Sequence, residues 1–217
     1  MTDIVTRWWL LRHAPVIGAD GRLYGQDDLD CDCSDTALFA AVARQLPVAP
    51  IWLVTPLRRT QATMSALRQT DAAGAPAGIA SAETEPGLVE QHFGAWQGRS
   101  YAQLEMEESE AYRRFWQAPA DETPPQGESF RDVIRRVGHA LHQRSSLHAG
   151  RDIVAVSHGG AIRAALAVLL DLEPLRALSF VIDPCSVTRF DQIRAADGTV
   201  SWRILCVNHL PRQHPDS

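Results

Sequence analysis

The stretch DIVAVSHGGAIRAALAVLL, residues 152–170, passes from a short apolar run through Ser157, His158 and two glycines into an apolar segment of helical period. Residues 152–157 fit a buried strand, and residues 160–170 fit a helix. The same rhythm occurs twice upstream. Residues 7–11 and 51–55 are short apolar runs bounded by polar or turn residues, each followed by a helical pattern. Strands that alternate with helices predict a parallel sheet covered on both faces. The expected fold class is α/β, a three-layer α/β/α sandwich around a mostly parallel sheet. Further helices are predicted over residues 34–46, capped by Ser34, over 59–69, over 100–116 with a break near Ser109, and over 129–147. Residues 187–191 and 202–207 read as late strands, 70–82 and 118–127 as loops, and the tail from Pro211 as loose. The chain has no internal repeat, and residues 1–217 are expected to form one domain.

With 217 residues, 45% of them hydrophobic, the chain can bury one good core. Its net charge of −5 provides no general basic field for nucleic acid or an anionic membrane, so any anion site must be local. Asp3 and the short apolar run at residues 8–11, ended by Arg12, do not resemble a signal peptide. The apolar run at residues 164–170 is too short to cross a bilayer. A cytoplasmic protein with no nucleic-acid or membrane partner is expected. Cys31, Cys33, Cys185 and Cys206 lack zinc-site spacing and are expected to be reduced thiols.

His13 follows the first predicted strand, His158 the third, and Arg59 lies just beyond the second. Sites in open α/β sheets form outside the carboxyl ends of strands. Three loops therefore bring Arg12, His13, Arg59 and His158 to one edge of the sheet. That mixture suits in-line phosphoryl transfer. Arginine forks match the equatorial oxygens, a neutral imidazole attacks phosphorus, and nearby arginines favour the neutral ring. His158, protonated by a bound anion, would add a further donor. The departing alkoxide needs a proton, and Glu90, within GLVEQHFGAWQG at residues 87–98, is the candidate acid.

Tyr24, Trp96 and Trp116 fall in or near the loops flanking this edge, and fit equally a grip on an apolar part of the substrate or the packing of a lid. Glu128 and Ser129 read as a helix start. His139, His142 and His148 read as a solvated helix face, because no acidic residue has the spacing to complete a metal site. His92, His209 and His214 are treated as bystanders, and the Cys31-Asp32-Cys33 segment as a loop packed on the core. No glycine precedes Ser157 in the pattern of a nucleophile elbow.

Leu11-Arg12-His13, Thr55-Pro56-Leu57-Arg58-Arg59-Thr60, Leu88-Val89-Glu90-Gln91-His92-Phe93-Gly94, Gly127-Glu128-Ser129 and Val156-Ser157-His158-Gly159-Gly160 occur in this order along nearly the whole chain. In this it resembles the histidine phosphatase superfamily, phosphoglycerate-mutase-like branch. The resemblance implies that His13 is phosphorylated, that Arg12, Arg59 and His158 form the phosphate pocket, and that Glu90 is the proton donor. It implies a backbone N–H from Gly159 near the phosphate, and no metal or other cofactor. The family's usual glycine after the nucleophile is Ala14 here, and Pro15, Val16 and Ala19 replace residues that are often polar. Gly25 and Asp28 keep part of the following loop signature.

True mutases of the family carry an extra segment between the acid and the Gly-Glu-Ser block, and here Glu90 to Gly127 is short. The expected activity is hydrolysis of a small-molecule phosphate monoester, with α-ribazole phosphatase as one specific case. Mutase-type transfer between hydroxyls and a catalytically weak, ligand-binding member are the alternatives. Oligomeric state leaves no mark that can be read in the sequence.

Overall fold

The structure, a computed structural model, describes residues 2–70 and 82–211. Nearly all of the expected loop at 70–82, and the tail beyond Pro211 with His214, lie outside the described residues. In chain order the elements are β1 (Ile4–Arg12), α1 (Thr36–Ala43), β2 (Ile51–Val54), α2 (Arg58–Arg68), β3 (Glu83–Thr84), α3 (Tyr101–Glu107), α4 (Ser109–Gln117), α5 (Phe130–Leu147), β4 (Asp152–Ser157), α6 (Gly159–Leu170), α7 (Pro174–Ala177), β5 (Val187–Arg194) and β6 (Val200–His209).

The strands form one six-stranded sheet in the order β3-β2-β4-β1-β5-β6. β1, β2, β3 and β4 run parallel, whereas β5 pairs antiparallel with both β1 and β6. Successive side chains on a strand point to opposite faces, and both faces here are apolar. Trp8, Leu10, Ile153 and Ala155 pack with α5 and α6 on one face. Trp9, Leu11, Val154 and Val156 pack with α1 and α2 on the other. The result is the three-layer sandwich, in which each fully buried leucine such as Leu10 or Leu11 contributes roughly 1.5–3 kcal/mol. A smaller cluster of Leu23, Trp96, Leu104 and Phe115 lies under α3 and α4.

Several boundaries differ from expectation. Asp35, not Ser34, caps α1, its carboxylate accepting from the Leu38 N–H at 2.9 Å. Two adjacent capping residues make that choice invisible to sequence. The break at Ser109 is real and divides α3 from α4. β3 and α7, of two and four residues, are too short to show a period.

Parallel pairing fixes where the strand ends meet. Leu11 stands beside Val156 and Arg12 beside Ser157, while Val54 also pairs with Val156. The residues that follow, His13, Thr55 and His158, therefore leave the sheet at one level. Antiparallel β5 brings its beginning to the same edge, with Val187 opposite Leu11.

α5 starts at a capping box, in which the Asp132 N–H donates to Ser129 Oγ and the Asp132 carboxylate accepts from the Ser129 N–H. Replacing Ser129 by alanine is expected to lower the unfolding free energy by about 1 kcal/mol. Urea titration would show it as a lower midpoint with an unchanged slope.

Candidate active site

His13 is 1% exposed. Its backbone N–H donates to the Ser157 carbonyl at 3.0 Å, extending the β1–β4 ladder by one rung. Its Nδ1 lies 2.7 Å from the Ala14 carbonyl, which can only accept, so Nδ1 carries the ring proton. Nε2 is left with its lone pair, buried and without a partner. Burial, reinforced by the Arg59 and Arg12 charges, pushes the pKa of His13 down to about 3, against the rise that the Ala14 bond alone would cause. The next residue is fixed from below: the Ala14 N–H donates to Thr63 Oγ1, and that hydroxyl donates to the Arg59 carbonyl.

His158 is fully buried, its ring centroid 5.1 Å from that of His13. Arg59 Nε donates to His158 Nδ1 at 3.3 Å, so His158 Nε2 carries the proton and meets Thr55 Oγ1 at 2.9 Å. Burial first, and then the neighbouring His13 and Arg59, hold His158 well below the usual histidine range. The ring is neutral with both nitrogens engaged, and it orients Arg59.

Arg59 is wholly buried at the start of α2. Its terminal nitrogens donate to the carbonyls of Asp27 and Gly25 at 2.7 and 2.6 Å, and its guanidinium lies 5.4 Å from the centre of the Tyr24 ring. Gly25 has φ +43°, and a Cβ there would lie 2.6 Å from Gln97 Oε1, so a side chain would unseat the loop that holds Arg59.

Glu90 approaches from the other side. Its Oε2 accepts from the Gly160 N–H at 3.2 Å and its Oε1 from the Gln91 N–H at 2.9 Å. A Cβ at Gly160 would fall 2.2 Å from Glu90 Oε1, so only glycine lets the carboxylate settle on the first turn of α6. Arg136 of α5 gathers the Gly87, Val89 and Glu90 carbonyls and pairs with Glu128. Arg12 turns toward the segment before β5, donating to the Ile182 carbonyl, and its Nε is buried without a partner.

An unpartnered imidazole nitrogen between guanidiniums, with a carboxylate across a helix N-terminus, is chemistry for a phosphoryl group. The sequence pattern of the histidine phosphatase superfamily, branch 1, matches residues 8–204. The chain belongs to that superfamily. It is 32% identical over 169 residues to a metal-independent phosphoserine phosphatase of Arabidopsis thaliana, covering 74% of this chain and 67% of that one. It is 34% identical over 180 residues to a glucosyl-3-phosphoglycerate phosphatase of Mycolicibacterium vanbaalenii, covering 77% and 76%. The α-ribazole phosphatase of Shigella flexneri shares the fold, with a TM-score of 0.77 at 21% identity over 97% of this chain and 100% of that one. Some matching relatives are much longer. The segment 35% identical to a bifunctional protein of Mycobacterium tuberculosis covers 54% of this chain and only 32% of that protein.

Within this member of the superfamily, the structure brings Arg12, His13, Arg59, Glu90, His158 and Gly159 to one sheet edge, with Tyr24 against Arg59. Trp96 is not among the exposed groups. It is 2% exposed and packs edge-on to Phe115 at 5.3 Å, so of its two expected roles the packing one holds. Trp116 is 48% exposed on α4 and rests against Tyr101, Tyr112 and Phe115. Ala14 has no positive φ and is fully buried, so the missing glycine costs no strain. Val16 bridges to Cys31, and the Ala19 carbonyl closes a turn with Arg22. Glu128 serves Arg136 and the His92 N–H, while Ser129 alone caps α5.

Sequence reasoning missed Arg136, which acts across distant segments and has no local signal. Among the described residues, no cluster of three His, Cys, Asp or Glu side chains could hold a metal, and no helix is long and apolar enough to cross a membrane.

Both site histidines stay neutral in the folded protein, whereas the unfolded chain protonates them near 6.5. Their stabilising contribution is complete above that pH and is lost as pH falls, toward about 3 for His13. Below 6.5 the unfolding free energy should drop by about 1.4 kcal/mol per pH unit per histidine. Urea midpoints at about pH 7.5 and about pH 5 measure this, and His13→Gln should shallow the slope. Equal midpoints at the two pH values would contradict it.

Proposed function

We propose that the chain is a phosphomonoesterase that works through a phosphohistidine on His13. The observation that carries this reading is the buried, unpartnered Nε2 of a neutral His13, beside Arg12 and Arg59. A buried acceptor without a partner costs about 1–3 kcal/mol, which an incoming phosphorus atom relieves.

In the first step, His13 Nε2 forms a bond to phosphorus while the bond from phosphorus to the ester oxygen breaks. Glu90, protonated in the bound complex, gives its proton to the departing alkoxide. The positive charge that appears on the ring is held by the Nδ1–H bond to the Ala14 carbonyl. Arg12 and Arg59 take the equatorial oxygens, and the free N–H at the start of α6, from Gly159, faces the same anion. In the second step the Glu90 carboxylate takes a proton from water, the water oxygen bonds to phosphorus, and the bond to Nε2 breaks. Free phosphate leaves and His13 returns to its neutral form. Relatives named as phosphoserine and glucosyl-3-phosphoglycerate phosphatases support a small phosphorylated metabolite as substrate. The short span between Glu90 and Gly127 supports transfer to water over transfer to a second hydroxyl.

With p-nitrophenyl phosphate, His13→Ala should abolish turnover, and Glu90→Gln should lower kcat by about 100- to 10,000-fold. Gly160→Ala, which displaces the carboxylate without removing it, should cost about a hundredfold. With 3-phosphoglycerate the product should be free phosphate. Accumulation of the 2-isomer instead would assign the chain to the mutases, and full activity in His13→Ala would overturn the reading.

A further inference from the structure

Arg163 sits one turn into α6, on the same face as Gly159, and no step above uses it. Its Nε donates to the Phe180 carbonyl at 2.8 Å. Arg12 is tied to the same segment two residues on, through Ile182. The two guanidiniums flank one point: a Cβ on Gly159 would lie 3.5 Å from Arg12 Nε and 3.7 Å from an Arg163 terminal nitrogen. Two cations therefore stand side by side at the N-terminus of the helix, both in van der Waals reach of the Gly159 Cα substituent position. Arg163 is half-buried, and burial holds its pKa below the ordinary arginine value. The Glu90 carboxylate opposes that shift and Arg12 adds to it. Like charges so close repel unless an anion lies between them. The neighbouring donor that points to such an anion is Arg12 Nε, buried and unpartnered, and the lone pair of His13 Nε2 is likewise buried without a partner.

We propose that Arg163 is a third phosphate-binding guanidinium, which with Arg12 brackets the phosphoryl group across Gly159. With both histidines neutral, three guanidiniums face one carboxylate, a balance that complements the dianion of a phosphate monoester. The inference rests on the phosphomonoesterase reading and adds a residue that sets its preference for a dianionic group.

The test is the binding of inorganic phosphate, by calorimetry and by the thermal shift it induces, to the intact protein and to Arg163→Gln. The expected result is phosphate affinity weakened about tenfold or more, with most of the phosphate-induced stabilisation lost. A purely structural Arg163, holding the Phe180 segment, would instead lower the melting temperature without phosphate and leave affinity within about twofold. That result overturns the proposal. Should Arg163→Gln not fold, phenylglyoxal labelling of the unaltered protein replaces it. Phosphate should protect the Arg163 peptide, and equal labelling with and without phosphate overturns the proposal. Turnover that survives His13→Ala would count against the phosphohistidine reading, while unchanged phosphate binding in Arg163→Gln counts against this inference alone.

Discussion

The parallel pairing of β1 with β4, whose last rung is the His13 N–H on the Ser157 carbonyl, is the constraint on which the site depends. It sets two histidines at the ends of adjacent strands, so their rings sit 5.1 Å apart without help from a flexible loop. The strands are held in register by apolar side chains on both faces, because a shift of one residue would exchange Trp8 and Leu10 with Trp9 and Leu11. Core packing and the geometry of the site are thus the same fact seen from two ends of a strand.

Electrostatics follows from that burial. Histidines placed at the ends of central strands are shielded from water, and shielding favours the neutral ring. Arginines drawn in around them reinforce the effect, and each needs oxygens to replace its water. Loop carbonyls supply them: Gly25 and Asp27 for Arg59, Ile182 for Arg12, and Gly87, Val89 and Glu90 for Arg136. The cations therefore shape the loops as much as the loops position the cations. At the site Arg12 Nε stays unspent, as does the lone pair of His13 Nε2.

The sandwich was legible because the period changes sharply along 152–170 and in two earlier segments, and strand ends in such sheets collect function. Arg12, His13, Arg59, Glu90 and His158 could be picked out from their positions beside those ends and from the blocks around them. What could not be read depended on long-range contacts. Glu128 stands where a capping residue is expected but pairs with Arg136, and Trp96 lies in a loop segment yet is enclosed by Leu104 and Phe115. The hydrogen bonds of His158 could not be read either, because Arg59 and Thr55 reach it from another loop. Gly160 belongs to the Ser-His-Gly-Gly block, and what it provides there is the space that Glu90 occupies.

The most direct test is rapid quenching of the enzyme during turnover of a phosphate monoester, followed by peptide mass spectrometry under alkaline conditions that preserve phosphohistidine. The account predicts one phosphoryl group on the His13 peptide, formed at least as fast as the steady-state rate and absent from His13→Ala. A phosphoryl group on another residue, or steady turnover with no phosphoenzyme formed, would contradict it.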